Sequence, residues 1–137
     1  MIRDVAEVAV ADENSEIRLA VMNSLCHPSK AFDTYLAQAE NIRSLYLAIN
    51  DEVSEVRSVA IVLIGRLADR NPAYVLPCLR TTLIQLLAEM GAGDDGRLEG
   101  ESARLLGLLV RSSPRLAEPY VAPVLSCGLP VYSCLDS

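Results

Sequence analysis

The sequence is poor in several residue types that define common functional classes. It contains no tryptophan, one phenylalanine and five tyrosines, so leucine, valine, isoleucine and alanine have to build its core. Its only histidine, His27, excludes an HExxH zinc motif and any other site that needs two histidines. Its only lysine is Lys30, its arginines are scattered among acids, and its formal net charge is −6. This charge pattern argues against binding to nucleic acid and against binding to an anionic membrane surface.

Cysteine is also sparse. Cys26, Cys78, Cys127 and Cys134 follow one another at intervals of 52, 49 and 7 residues, which fit neither a CxxC metal site nor a disulfide-dense framework. Cys26 and Cys78 lie among apolar neighbours and are predicted to be buried free thiols of a reducing compartment. The first residues contain acids and lack the apolar core of a signal peptide. We therefore expect a cytoplasmic protein.

Charge is absent from one stretch, Pro119 to Leu135, over 17 residues. Such a stretch suggests a membrane span, but it is at the short end of the required length. Pro123, Gly128 and Pro130 would interrupt a spanning helix. No transmembrane helix is predicted.

Internal repetition is the most informative feature that is present. Residues 12–18, DENSEIR, recur as residues 51–57, DEVSEVR, an offset of 39. A second set recurs at an offset of 42, so that Gly65 corresponds to Gly107 and Pro72 to Pro114. Periods of about 40 residues are typical of two-helix solenoid units.

The apolar spacing within these units is helical. From Val53 to Leu67, apolar residues recur at the i, i+3, i+4, i+7 positions of one buried helix face. Pro72 and Pro114 suit the first turn of a helix, and Asn71 and Ser113 precede them as candidate caps. The predicted helices span residues 2–11, 15–26, 32–49, 53–69, 72–90, 98–112 and 115–125.

Gly91 to Gly96 reads GAGDDG and matches the GxGxxG nucleotide-binding pattern before a helix. That pattern binds phosphate when it follows a strand, whereas here a helix precedes it. Asp94 and Asp95 inside the loop would also repel a phosphate. A solvated loop between helices is the preferred interpretation, and no catalytic, cofactor or metal-binding residue is predicted anywhere in the chain.

The recurring acid and arginine form the one candidate site. Asp12 and Arg18 in the first repeat correspond to Asp51 and Arg57 in the second. Stacking at a constant rotation would bring an arginine of one unit near an aspartate of the next. The expected role is structural, an inter-repeat ladder whose loss is costly if buried and nearly neutral if exposed.

The pattern Asp51, Val56, Arg57, Ala60 resembles the second-helix signature of HEAT repeats. The first unit departs from it with Val21 in place of the alanine. In the third unit Gly93 replaces the aspartate, and Leu98-Glu99 replaces Val-Arg, so its ladder position differs.

Longer runs resemble the amino-terminal HEAT solenoid of the target of rapamycin (TOR) serine/threonine kinases. They are FDTYLAQAENIRSLYLAINDEVSEVR, GRLADRNPAYVLPCLRTTLIQLLAEM and ESARLLGLLVRSSPRLAEPYVAPVL, at residues 32–57, 65–90 and 101–125. The resemblance implies a very large parent kinase in nutrient and growth signalling that acts with protein subunits, such as a raptor-like adaptor or another protomer, in the cytoplasm and at endomembranes. No kinase motif lies in this segment.

The sequence thus predicts an all-α superhelix, a HEAT/armadillo-like solenoid of about three antiparallel helix pairs. Its units cover about residues 1–26, 32–69 and 72–112, and the next begins at 114–125. The tail, 126–137, has no assignment. The predicted function is that of a protein-interaction scaffold that docks regulatory subunits. The alternative is a free-standing helical enzyme or ligand carrier with a pocket between helices.

Overall fold

The computed structural model describes residues 2–27, 29–92, 96–114 and 116, and every regular element within them is helical. Seven α-helices and one 3-10 helix follow one another along these ranges. In chain order they are α1 Ile2–Ala11, α2 Ser15–Leu25, α3 Lys30–Leu36, α4 Ala39–Leu47, the 3-10 helix Ala48–Asn50, α5 Ser54–Leu67, α6 Pro72–Gly91 and α7 Gly96–Ser112.

The helices pack as pairs that stack on one another. We call α1 and α2 the first pair, α4 and α5 the second pair, and α6 and α7 the third pair. Within the stack, α2 contacts α5 and α5 contacts α7, while α1 contacts α4 and α4 contacts α6. The result is a two-layered, all-α stack, and it confirms the predicted superhelix of about three helix pairs.

The core consists of aliphatic side chains from all three pairs. Helix α5 lies between α2 and α7 and is buried along the face that the apolar spacing predicts. Its fully buried side chains include Val56, Ala60, Leu63, Ile64 and Leu67. Phe32, the one phenylalanine, packs against this core without being fully buried.

One predicted helix is wrong in detail. The expected continuous helix at residues 32–49 is divided into α3, α4 and the 3-10 helix, with Gln38 in an extended conformation between α3 and α4. The break exposes carbonyl groups that a continuous helix would satisfy itself. Side chains take over this role, because Asn41 donates to the Tyr35 carbonyl at 2.9 Å and Asn71 donates to the Ala37 carbonyl at 2.7 Å.

This use of Asn71 also corrects its predicted role. Asn71 stands at the N-cap position of α6, but its side chain makes no capping hydrogen bond there. Pro72 occupies the first turn of α6 as expected. The N-cap of α2 is Asn14, whose side chain accepts a hydrogen bond from the Glu16 amide.

Several other predictions concern single residues. Cys26 and Cys78 are free thiols but only partly buried, and burial raises the pKa of the Cys78 thiol. His27 is exposed. The following segments lie outside the described residues: the predicted helix at 115–125 apart from Leu116, the uncharged stretch 119–135, the tail 126–137 and most of the loop between Gly91 and Gly96.

Candidate functional site

The first contact between pairs joins Arg18 of α2 to Asp51, which precedes α5. Arg18 Nε lies 2.8 Å from Asp51 Oδ2, and Arg18 Nη2 lies 3.1 Å from Asp51 Oδ1. The two side chains are only 7% and 6% exposed. Two parallel hydrogen bonds to one carboxylate make this the strongest geometry that an arginine and an aspartate adopt.

Arg18 also ties its own pair together. Its Nη1 donates to the Asp12 carbonyl oxygen at 2.7 Å. The hydrogen bonds from Asp51 raise the pKa of Arg18 further above its ordinary value. Burial opposes ionisation of Asp51, but the hydrogen bonds from Arg18 and from the Val53 amide outweigh it and lower the pKa of Asp51. The buried pair is therefore fully charged at neutral pH.

The second contact begins in the same way. Arg57 Nη1 donates to the Asp51 carbonyl oxygen at 2.7 Å, the same distance as between Arg18 and the Asp12 carbonyl. Asp12 Oδ1 and Asp51 Oδ1 each accept, at 2.8 Å, the amide N–H two residues further on. The repeated sequence DENSEIR/DEVSEVR thus forms the same local structure twice.

The acid that receives Arg57 is Glu101 of α7. Arg57 Nη2 lies 3.0 Å from Glu101 Oε1, the two side chains are 23% and 26% exposed, and Arg57 Nε is buried without a hydrogen-bond partner. Position 93, which corresponds to Asp51, is a glycine, so the third pair supplies its acid from within a helix. The structure therefore brings Arg18 to the Asp51 carboxylate, whereas the Arg57 side chain binds the Asp51 carbonyl oxygen and the Glu101 carboxylate.

Glu101 is shared by several donors. Arg104 lies 2.9 Å from Glu101 Oε1 and 3.1 Å from Oε2, and the Ser54 hydroxyl also donates to Oε1. Hydrogen bonds from Arg104, Ser54 and Arg57 outweigh burial and lower the pKa of Glu101 from 4.5 to about 2. Arg104 Nη2 further donates to the Ser58 hydroxyl at 2.8 Å. This cluster links the start of α5 to α7.

Sequence reasoning missed Glu101 and Arg104, although one signal pointed to them. Position 93, where the repeat would place an acid for Arg57, is a glycine, so the acid that binds Arg57 has to come from another position of the third pair. It also missed Arg66, whose Nη2 lies 2.8 Å from Asp33 Oδ1 and whose Nη1 donates to the Cys26 carbonyl. No repeat signal marks Arg66, because the corresponding residues are His27 and Leu108.

The cavities bear on the alternative prediction of a ligand pocket. One cavity of about 210 Å³ lies between α5, α6 and α7, near Ile61, Leu105 and the charged residues Glu89 and Glu101. Its acids are already bonded within the chain, since Glu89 accepts from Gln85 and Ser102 and Glu101 accepts from its arginines. Arg57 also lines this cavity, and its Nε has no hydrogen-bond partner.

Two further searches cover the same part of the chain. Within the described ranges, no group of three or more histidine, cysteine or acidic side chains is arranged to hold a metal ion. None of the helices in those ranges combines the length and the apolar character that a membrane crossing requires.

Comparison with known proteins gives long matches to one kind of kinase. The chain is 48% identical over 116 residues, 85% of its length, to the serine/threonine-protein kinase TOR of Oryza sativa subsp. japonica. It is 44% identical over 123 residues to the serine/threonine-protein kinase tor1 of Schizosaccharomyces pombe, and 42% identical over 130 residues to TOR2 of Saccharomyces cerevisiae. The chain spans only 5% of the length of each relative. No protein-family model matches it.

Proposed function

This chain is homologous over most of its length to one segment of the TOR serine/threonine kinases, and we propose that it works as a protein-interaction scaffold of HEAT repeats within a TOR-like kinase. In this proposal the segment contributes surface and rigidity, while the groups that transfer phosphate lie in other parts of the kinase. Its setting is nutrient and growth signalling in the cytoplasm and, through the parent complex, at endomembranes.

The stacked geometry supports a structural role. The Arg18–Asp51 and Arg57–Glu101 contacts each join one helix pair to the next, so Asp12, Arg18, Asp51 and Arg57 act in this proposal as an inter-repeat ladder. Such contacts hold neighbouring pairs at one rotation and keep the outer surface in one shape.

The exposed apolar side chains of the α4 and α6 layer carry the proposal of partner docking. Leu47 of α4 and Tyr74 and Ile84 of α6 are all exposed, and the two helices contact each other. Exposed large apolar side chains on neighbouring elements are typical of protein interfaces. The proposed partners are regulatory subunits, namely a raptor-like adaptor or another protomer of the parent complex.

The test uses a chimera of the full-length Schizosaccharomyces pombe kinase that carries residues 1–125 of this chain in place of its own matched segment. Leu47→Glu together with Ile84→Glu should reduce the amount of adaptor that co-purifies with the chimera at least about tenfold, because charge is placed in an apolar contact. Activity of the isolated kinase towards a short peptide should stay unchanged.

Asn23→Glu is the matched control, since Asn23 is exposed on α2, in the other layer of the stack. A melting curve of each 137-residue variant checks that the helical stack still folds. Full retention of the adaptor by a folded Leu47→Glu, Ile84→Glu chimera would contradict the proposed surface.

A further inference from the structure

Ser54, the first residue of α5, lies in a group of charged side chains from α5 and α7. Its hydroxyl donates to Glu101 Oε1 and accepts a hydrogen bond from Arg104 Nη2 at 2.6 Å. Arg57 Nη2 lies 3.0 Å from the same Glu101 oxygen. One serine hydroxyl therefore shares a single carboxylate with two arginines.

Open space adjoins the Ser54 hydroxyl. A cavity of about 390 Å³ lies there, and its lining includes Arg57, Arg97 and Gly100. A Cβ added at Gly100 would meet nothing within 4 Å, so the α7 side of the cavity is not filled. The cavity therefore has room for a phosphoryl group beside positively charged side chains.

The start of α5 lacks an acceptor that the start of α2 possesses. Asn14 is the N-cap of α2, and its side chain accepts from the Glu16 amide. Val53 is the corresponding residue before α5, and its aliphatic side chain makes no capping hydrogen bond. The first amide N–H groups of a helix favour negative charge nearby. A phosphate on Ser54 would lie at this end of α5.

The repeat supplies a second serine in the same motif. Ser15 is the first residue of α2, corresponds to Ser54 at the offset of 39, and is partly exposed as Ser54 is. Within the described ranges, no arginine side chain is hydrogen-bonded to the Ser15 hydroxyl. The α5 position that corresponds to Arg104 of α7 is Val62. The arginines are thus particular to Ser54 and do not come with the motif.

We propose that Ser54 is a phosphorylation site and that Arg57 and Arg104 bind its phosphate in place of the Glu101 carboxylate. A protein kinase transfers the γ-phosphoryl group of a nucleoside triphosphate to the hydroxyl. The bond from the Ser54 oxygen to phosphorus forms, and the bond from that phosphorus to the oxygen bridging to the β-phosphate breaks. The hydroxyl proton passes to solvent and the nucleoside diphosphate leaves. The link between α5 and α7 then has its acid on α5 instead of α7.

Charge explains why the phosphate displaces Glu101. Phosphoserine carries a charge of about −1.5 to −2 at neutral pH, and arginine binds phosphate with charge-assisted hydrogen bonds. Glu52 and Glu55 line the same cavity, but both are exposed, so solvent and salt screen their repulsion. The same exposure makes these two acids available to an acid-directed serine kinase.

The first experiment tests whether the phosphate meets the arginines. Phosphoserine is incorporated during synthesis at position 54 of the 137-residue chain and, as the matched control, at position 15, and each phosphate is titrated by ³¹P NMR. The second pKa of phosphoserine is ordinarily about 6. Arginine donors favour the dianion, so the phosphate pKa at position 54 should lie at least about one pH unit below that at position 15.

Two arginine variants separate a specific contact from a general effect of charge. In the chain with phosphoserine at position 54, Arg104→Gln should remove at least about half of the difference in phosphate pKa. Arg111→Gln removes the same charge from an exposed place on α7 and should leave the phosphate pKa unchanged. The pKa of Glu101, followed by ¹³C NMR, should rise from about 2 towards 4.5 because its arginines have left it.

The second experiment tests whether a kinase reaches Ser54 in the folded chain. The enzyme is an acid-directed serine kinase that phosphorylates a synthetic peptide of residues 46–60. We expect mass spectrometry of the treated 137-residue chain to find phosphate on Ser54. Ser102 also has acids before it but is only 1% exposed, so it should stay unmodified for as long as the chain is folded.

Four results would overturn the proposal. They are equal phosphate pKa values at positions 54 and 15, equal effects of Arg104→Gln and Arg111→Gln, loss of the helical circular dichroism signal with phosphoserine at position 54, and failure of acid-directed kinases to modify Ser54 in the peptide or in the folded chain. None of these results involves Leu47 or Ile84, so they leave the proposed scaffold function unaffected.

Discussion

The two arginine contacts between helix pairs start from one sequence motif and end on different acids. Arg18 binds Asp51 with two hydrogen bonds in a nearly dry setting. Arg57 makes the same bond to the backbone of its own pair but reaches Glu101 with one nitrogen, in a site about a quarter exposed. The motif thus determines where the arginine stands, and the next pair determines how well it is bound.

The largest effect in this comparison is expected on removing the acid of the buried contact. Asp51→Ala leaves the Arg18 guanidinium buried without its partner, and breaking such a pair costs about 3 to 5 kcal/mol. Asp12→Ala removes only an acceptor for the Asn14 amide and should cost about 1 kcal/mol. Urea unfolding of the two variants checks the difference, and equal losses would show that burial does not distinguish the two aspartates.

A steric difference between corresponding glycines is expected to come next. A Cβ added at Gly65 would lie 2.6 Å from Ser112 Cβ of α7, whereas one at Gly107 meets nothing closer than an Arg111 nitrogen at 3.8 Å. Gly65→Ala should therefore destabilise the chain by roughly 1 to 3 kcal/mol through overpacking. Gly107→Ala should stabilise it by up to about 1 kcal/mol, since alanine favours the helix.

Thermal melts followed by circular dichroism measure both glycine variants. If the close approach of α5 and α7 is the reason for a glycine at position 65, Gly65→Ala should lower the melting temperature and Gly107→Ala should raise it. If Gly65→Ala melts at or above the wild-type temperature, the packing of Ser112 on α5 is wrong.

A smaller effect is expected for the arginine of the more exposed contact. Arg57→Ala removes bonds to the Asp51 carbonyl and to Glu101 and should cost about 1 kcal/mol. Arg43 is exposed on α4, and Arg43→Ala should change stability by less than about 0.5 kcal/mol. If Arg57→Ala and Arg43→Ala unfold at the same urea concentration, Arg57 does not stabilise the chain more than Arg43 does.

The smallest effect is a pH dependence that arises from Glu101. Its pKa is about 2 in the folded chain and 4.5 ordinarily, so the unfolded chain takes up the proton first as the pH falls. The stabilisation is complete above pH 4.5 and is lost as the pH falls towards about 2. Because Glu101 is partly exposed, solvent screening keeps this contribution below about 1 kcal/mol.

Glu101→Gln removes the titrating group and keeps an acceptor for the arginines. Its free energy of unfolding should fall less steeply over this pH range than that of the wild type. Some slope should remain in the variant, because the pKa of Asp51 is lowered as well. If the free energy of unfolding changes with pH by the same amount in both chains, Glu101 is not the group responsible.

Much of the architecture follows from local pattern. The helical period around Val56, Ala60 and Leu63 predicts α5 and its buried face, because one face of a helix recurs every 3.6 residues. The offset of 39 predicts that Arg18 and Arg57 occupy equivalent places. The break between α3 and α4 could not be predicted in this way, since it depends on Asn71, a residue of another pair that donates to the Ala37 carbonyl.

The candidate ladder was accessible from the sequence only in part. The repeated acid and arginine point to contacts between pairs, and Arg18 lies against Asp51 of the next pair. The partner of Arg57 required the structure, because Glu101 has no counterpart in the motif and becomes available only when α7 packs against α5.

By itself, the sequence determined that this chain is a stack of helix pairs with an arginine at a fixed place in each of the first two. Those features depend on contacts within about one turn of helix or on repetition along the chain, so the sequence alone predicts them. Only the tertiary structure decided which acid meets each arginine and how exposed each contact is. These properties depend on how one pair is set against the next, a relation between residues some 30 to 45 positions apart.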